Sequence, residues 1–133
     1  MKEKRWKTSR CTVYNVGYHF IWCPKYRRKV LVGNVADRLK ALFVKKATEI
    51  GVEIVSMEIM PDHVHLFIKA SPVDSPHWIV QQLKGYSSRV LRSEFPSLKS
   101  RLPSLWTRSY YIESVGHISE ETVLKYIEEQ KGR

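Results

Sequence analysis

Apolar positions along this chain repeat with two different periods. Residues 12–22 are β-branched and aromatic, and Val16, Tyr18, Phe20 and Trp22 fall on alternate positions, the two-residue repeat of a strand. A basic stretch follows, Lys25-Tyr26-Arg27-Arg28-Lys29. The period then lengthens: Val35, Leu39, Leu42, Phe43, Ala47 and Ile50 recur at helical spacing, with Asn34 placed to cap the start and Gly51 to end it. Residues 52–60 and 62–70 are short apolar runs split by Pro61, which predicts two strands in a tight antiparallel pair. Ser75 followed by Pro76 opens a second helix that should run to about residue 95 and stop before Pro96. Residues 99–103 read as loop. Residues 105–115, with Trp106, Tyr110, Tyr111 and Ile112, read as a fourth strand. Ser119 caps a last helix, residues 120–131, with Glu120 and Glu121 in the first turn, where the helix dipole favours negative charge.

The order is β-α-β-β-α-β plus a terminal helix, the split β-α-β or ferredoxin-like order of an α+β protein. Such an order predicts an antiparallel sheet with two helices on one face and the other face open. That open face is the working surface of RNA-recognition modules, but fold alone does not choose function.

Composition narrows the function classes. The chain has 133 residues, 43% hydrophobic and 27% charged, which suits one globular domain with a real core. No apolar run approaches the roughly 18 residues that span a bilayer. The basic start is not followed by the apolar stretch of a signal peptide. Two cysteines, Cys11 and Cys23, exclude a disulfide framework and a multi-cysteine zinc module, and point to reduced thiols in the cytoplasm. Lys plus Arg number 23 against 13 Asp plus Glu, a formal net charge of +10. Such a surface is expected to meet polyanions, nucleic acid first, because each neutralised phosphate releases counterions.

The sharpest chemical feature is Asp62-His63-Val64-His65-Leu66. On a strand His63 and His65 project from one face while Val64, Leu66 and Ile68 face the core. Two adjacent imidazoles begin a divalent-metal site, but the same pattern also describes a pair of hydrogen-bonded surface histidines. Tyr126 and Gln130 share a helical face four residues apart. Gln130 offers a hard amide oxygen and Tyr126 a phenolic nucleophile; the alternative is a packing aromatic on an amphipathic helix. Asp62 would orient a histidine only if the strand began irregularly, so a turn-forming role weighs more. His19 neighbours the metal strand and is either a support for the pair or a structural histidine. His77 and His117 read as surface residues.

Several blocks, taken together, resemble the single-tyrosine HUH transposases, the small transposase A enzymes of minimal, IS200-like insertion sequences. They are Tyr18-His19-Phe20-Ile21-Trp22-Cys23-Pro24-Lys25-Tyr26-Arg27-Arg28, Met60-Pro61-Asp62-His63-Val64-His65-Leu66, Gln82-Leu83-Lys84-Gly85-Tyr86-Ser87-Ser88, Leu105-Trp106 with Ser109-Tyr110-Tyr111 and Ser114-Val115-Gly116, and the run from Glu121 to Gln130. They cover nearly the whole chain in the family's order, as one domain over residues 1–133. The resemblance implies that His63, His65 and Gln130 hold Mg2+ or Mn2+ and that Tyr126 is the nucleophile. It also implies a homodimer, often completed in trans by the tyrosine helix, acting on single-stranded DNA with hairpin ends. DNA contacts are expected from Lys25, Tyr26, Arg27, Arg28, Lys84, Arg89, Arg92 and Arg108, with Tyr26, Trp106, Tyr110 and Tyr111 as stacking platforms. A related nickase for replication initiation, or a silent nucleic-acid-binding module on the same fold, is the rival expectation.

Overall fold

The structure, a computed structural model, describes residues 7–8, 13–14, 16–115 and 128. Two short strands, β1 (Lys7–Thr8) and β2 (Val13–Tyr14), pair with each other. The expected first strand is therefore divided: its main part is β3 (Val16–Trp22). Then come helix α1 (Gly33–Ile50), strands β4 (Glu53–Met60) and β5 (His63–Ala70), helices α2 (Pro76–Glu94) and α3 (Pro96–Arg101), and strand β6 (Tyr111–Ser114). The main sheet has four antiparallel strands in the order β4-β5-β3-β6. That is the split β-α-β order expected from the sequence.

The alternation in β5 sets the two faces. Val64, Leu66, Ile68 and Ala70 are buried, while His63, His65, Phe67 and Lys69 lie between them on the other face. Phe20 and Trp22 of β3 join the buried side. Above them pack Leu39, Leu42, Phe43 and Ala47 of α1 and Ile79, Val80, Leu83 and Leu91 of α2. The Trp22 ring meets Phe43 and Trp106 edge-on, at 5.7 and 5.9 Å between centroids.

Helix ends follow local chemistry, with corrections. Ser75 caps α2 by accepting from the Trp78 N–H, with Pro76 inside the first turn, as expected. Gly51 closes α1 at φ 78, its N–H and that of Val52 returning to Thr48 and Ala47 carbonyls in a Schellman arrangement. Asn34 does not cap α1. Gly33, at φ 56, already turns the chain into the helix, so Asn34 sits inside the first turn and Val32 takes the cap position without a side-chain bond.

Two further expectations fail for physical reasons. Pro96 ends α2 but also starts α3, because a proline at a first helical position loses no hydrogen bond. Residues 99–101, expected as loop, are therefore helical. The fourth strand is only Tyr111–Ser114; Leu105 and Trp106 are consecutive buried residues around one isolated bridge, Pro24 to Trp106, and alternation is lost there. The expected last helix lies outside the described residues except for Glu128, which is helical. Among the described residues no helix is long and apolar enough to cross a membrane.

Candidate metal and nucleic-acid site

A two-residue turn, Pro61 and Asp62, joins β4 to β5 and brings Met60 opposite His63. Among the described residues only Tyr26 and Arg27, apart from glycines, have positive φ. The Pro61-Asp62 turn is thus not one of the primed types usual in two-residue hairpins. Its backbone is held from outside: the Leu31 N–H donates to the Pro61 carbonyl at 3.1 Å.

Asp62 uses both carboxylate oxygens. Oδ1 lies 2.9 Å from His63 Nδ1, and Oδ2 accepts from Arg27 Nη2 at 3.0 Å. The hydrogen bond with His63 is the largest influence holding the Asp62 carboxyl below the usual carboxylate range; partial desolvation opposes it and the Arg27 charge adds to it. An ionised carboxylate only accepts, so His63 Nδ1 carries the proton, and in the neutral form of the ring Nε2 keeps its lone pair. That tautomer is the one a metal-ligating imidazole needs when its second nitrogen rests on a carboxylate. The turn-forming role expected for Asp62 and the orienting role are the same placement, because β5 begins at His63 and Asp62 belongs to the turn.

His65 shares the open face and meets another histidine. Its Nε2 lies 3.0 Å from His19 Nδ1 across the β3–β5 ladder. His19 in turn stacks on Phe67, with 4.6 Å between centroids and 23° between planes. Gly17 makes room for that stack: a Cβ there would come within 2.6 Å of the Phe67 ring. Glu58 pairs with His65 in the register and Glu113 with His19. Reading the sequence missed both glutamates, since only strand register brings them beside the histidines.

As a metal centre the described residues form a partial set. Two half-exposed imidazoles share a face, and one has its tautomer fixed by a carboxylate. Among the described residues no group of three or more His, Cys, Asp or Glu is arranged to hold an ion. This donor set fits a divalent ion that draws a further donor from elsewhere. Tyr126 and Gln130 lie outside the described residues.

The basic turn after β3 is strained. Tyr26 has φ 60 and ψ 17, and Arg27 has φ 52, a region costing of the order of 1–3 kcal/mol for each such residue. The flanks hold it in place: Lys25 N–H donates to the Leu105 carbonyl at 2.8 Å and Thr107 N–H to the Cys23 carbonyl at 3.0 Å. Tyr26 is 64% exposed, Lys25 sits against its ring, and Arg28 is exposed.

The other expected DNA residues divide. Arg89 and Arg108 are exposed, and Arg89 and Lys46 both sit against the Tyr86 ring. Arg92 is half-buried, donates to the Leu102 carbonyl at 3.1 Å, and with Arg89 and Lys99 lines an open groove of about 690 Å³. Lys84 is turned inward: its ammonium meets the carbonyls of Thr107, Arg108 and Ser109, and burial pushes its pKa down. It braces α2 against the segment leading to β6. Of the aromatic candidates Trp106 is only 6% exposed, a core residue whose indole donates to Ser87 Oγ at 3.1 Å. Tyr110 stacks on His77 and lies 3.1 Å from it through its hydroxyl. Tyr111 is 56% exposed and pairs with Ile21 on the open face.

A split β-α-β domain with paired histidines on its open face defines the class, and comparison with known proteins gives the family. The family model described as "Transposase IS200 like" matches residues 12–130. The ISDra2 transposase TnpA of Deinococcus radiodurans is 44% identical over 126 residues, 93% of this chain and 90% of that protein. The transposase for insertion sequence element IS200 of Salmonella typhimurium is 32% identical over 107 residues, 79% of this chain and 70% of that protein. The crystal structure of a candidate transposase from Deinococcus radiodurans R1 superimposes with a TM-score of 0.77 at 42% identity, covering 93% of this chain and 97% of that one. A REP-associated tyrosine transposase, solved bound to a REP hairpin, shares the fold with a TM-score of 0.59 at 14% identity, over 95% of this chain and 73% of that one. The chain belongs to the IS200-like transposase family, whose members are DNA-cleaving and strand-transferring enzymes.

Proposed function

We propose that this protein is a divalent-metal-dependent transposase that cuts and rejoins single-stranded DNA at insertion-sequence ends, with Tyr126 as nucleophile and His63, His65 and Gln130 as metal ligands. The observation that carries the reading is the His63–His65 pair on the open face, with His63 Nδ1 engaged by Asp62. Single-stranded DNA bearing a hairpin is the proposed substrate, and a homodimer the proposed assembly.

A free phenol has a pKa near 10, so only about one in a thousand is ionised at neutral pH. Bound at the paired imidazoles, Mg2+ or Mn2+ would neutralise the charge of a non-bridging phosphate oxygen and polarise the phosphorus. The protein's part is in-line placement of the Tyr126 oxygen. The Tyr126 oxygen–phosphorus bond forms, the bond from phosphorus to the 3′ oxygen breaks, the phenol proton passes to solvent, and the 3′ oxygen takes a proton from solvent and leaves as a hydroxyl. One phosphodiester replaces another, so the 5′-phosphotyrosine link retains the energy for rejoining and no nucleotide triphosphate is needed. His63 and His65 would hold the ion in position; Lys25, Arg28, Arg89 and Arg108 supply cations for the backbone, and Tyr26 and Tyr111 rings for bases.

The test uses a labelled single-stranded hairpin from an insertion-sequence end, with Mn2+, and reads a denaturation-resistant protein–DNA adduct. Wild type gives the adduct; Tyr126→Phe abolishes it while DNA affinity stays within about twofold. His65→Ala removes the metal-dependent cleavage. An adduct that survives Tyr126→Phe refutes the nucleophile, and a wild type that binds the hairpin without ever forming an adduct favours the silent binding module.

A further inference from the structure

The strained turn after β3 has a destination. Tyr26 and Arg27 both take left-handed backbone conformations, and the outcome is delivery of the Arg27 guanidinium to Asp62 Oδ2 at 3.0 Å. The other oxygen of the same carboxylate faces His63 Nδ1 at 2.9 Å. Both ends of the chain Arg27–Asp62–His63 rest on fixed backbone. Lys25 is tied to Leu105, and Leu31, just past the turn, is tied to Pro61, the residue before Asp62. An incidental surface ion pair does not need two consecutive strained residues to form, and such pairs contribute little to stability. Strain kept in place by the surroundings marks a directional job.

We propose that Arg27 is a positioning residue of the metal site: it clamps Asp62 so that the carboxylate fixes the His63 ring, with Nδ1 protonated and Nε2 bare toward the open face. The inference rests on His63 being a metal ligand, and it gives Arg27 a task other than contact with DNA. Arg27 acts through Asp62 and touches neither ion nor substrate. Its side chain is 71% exposed, so the clamp works by direction and not by burial. Without it the Asp62 carboxylate can rotate away from His63, and the ring samples the tautomer whose Nε2 carries the proton and cannot ligate.

The experiment uses the full chain, free of metal and DNA, and reads the His63 ring nitrogens by 15N NMR; a parallel calorimetric titration with Mn2+ reads affinity. Wild type shows the Nδ1–H form. Arg27→Gln shifts the ring toward a mixture and weakens Mn2+ binding about two- to fivefold, less than the roughly 10–100-fold loss expected for Asp62→Ala, whose partner is the ligand itself. Arg27→Lys restores most of the affinity. The double variant Arg27→Gln/Asp62→Ala binds Mn2+ as Asp62→Ala alone does. Ring signals and Mn2+ affinity unchanged in Arg27→Gln, or losses that add in the double variant, overturn the proposal. A wild-type chain with no His63-dependent Mn2+ binding sinks the metal reading and this inference with it; unchanged ring nitrogens in Arg27→Gln sink this inference alone.

Discussion

Gly17 has no side chain, and the Phe67 ring takes the space. Phe67 then stacks on His19, and His19 bonds His65. A methyl group at position 17 must push Phe67, and the push travels to a histidine of the candidate metal site. Gly17→Ala is expected to cost about 1–3 kcal/mol in chemical denaturation, with His65 ring resonances displaced while those of His63 hold. Both histidines moving together would contradict the separation between the Phe67–His19–His65 stack and the Arg27–Asp62–His63 chain. The two chains explain what was and was not visible at this scale. His-x-His was legible because a two-residue period is local. The partner of each histidine was not: Asp62 adjoins His63 but bonds it only because β5 starts late, and His19 reaches His65 along a diagonal set by pairing of Val16–Trp22 with His63–Ala70.

Elements are locked to one another by a few polar groups at their rims. Arg38 on α1 donates twice to Glu94 on α2, at 2.8 and 2.9 Å. The hydrogen bond from Arg38 is the main cause holding the Glu94 carboxyl below its ordinary range. A carboxylate depressed in the folded state adds stability above its unfolded pKa, and that stability is lost as pH falls through the depressed folded value. Glu94→Gln should therefore melt below wild type at neutral pH, and the two melting curves should converge in acid below the carboxylate range. Lys84 performs a similar task for α2 and the segment before β6. Lys84→Met keeps the stem and takes the donor from the Thr107 and Arg108 carbonyls, while Ser109 keeps that of the Thr107 hydroxyl; the expected loss is about 1–3 kcal/mol, with no change in the salt dependence of DNA binding. Element order, sheet composition and both long helices were legible because their periods are sustained over many residues. The short helix after Pro96 was not, because one proline served as both stop and start. The strand before Tyr111 was over-extended because Leu105 and Trp106 look like strand residues but are core residues of an irregular segment.

At the scale of the molecule, one side of the sheet is core and the other carries the paired histidines, with basic groups at the surrounding turn and helices. A net charge of +10 favours contact with any polyanion, so affinity has meaning only with its salt dependence. Each phosphate contact on a single strand contributes about −0.7 to the slope of log affinity against log salt concentration. Arg28→Ala and Arg108→Ala should each flatten that slope by about 0.7, read by fluorescence anisotropy on a single-stranded hairpin; an unchanged slope removes the residue from the contact surface. The family was readable in the sequence because its blocks occur in order along nearly all of the chain, and residues 12–130 match the family model. Tyr126 and Gln130 lie outside the described residues, and no local pattern of sequence encodes how they stand relative to the histidines.

The Ser87 hydroxyl, sealed in the core, donates to the Leu83 carbonyl and accepts the Trp106 indole proton. That proton can meet solvent only when the segment carrying Trp106 lifts off α2. The indole is therefore a built-in clock: its deuterium exchange should run far slower than that of an exposed indole and report the opening of that segment from α2.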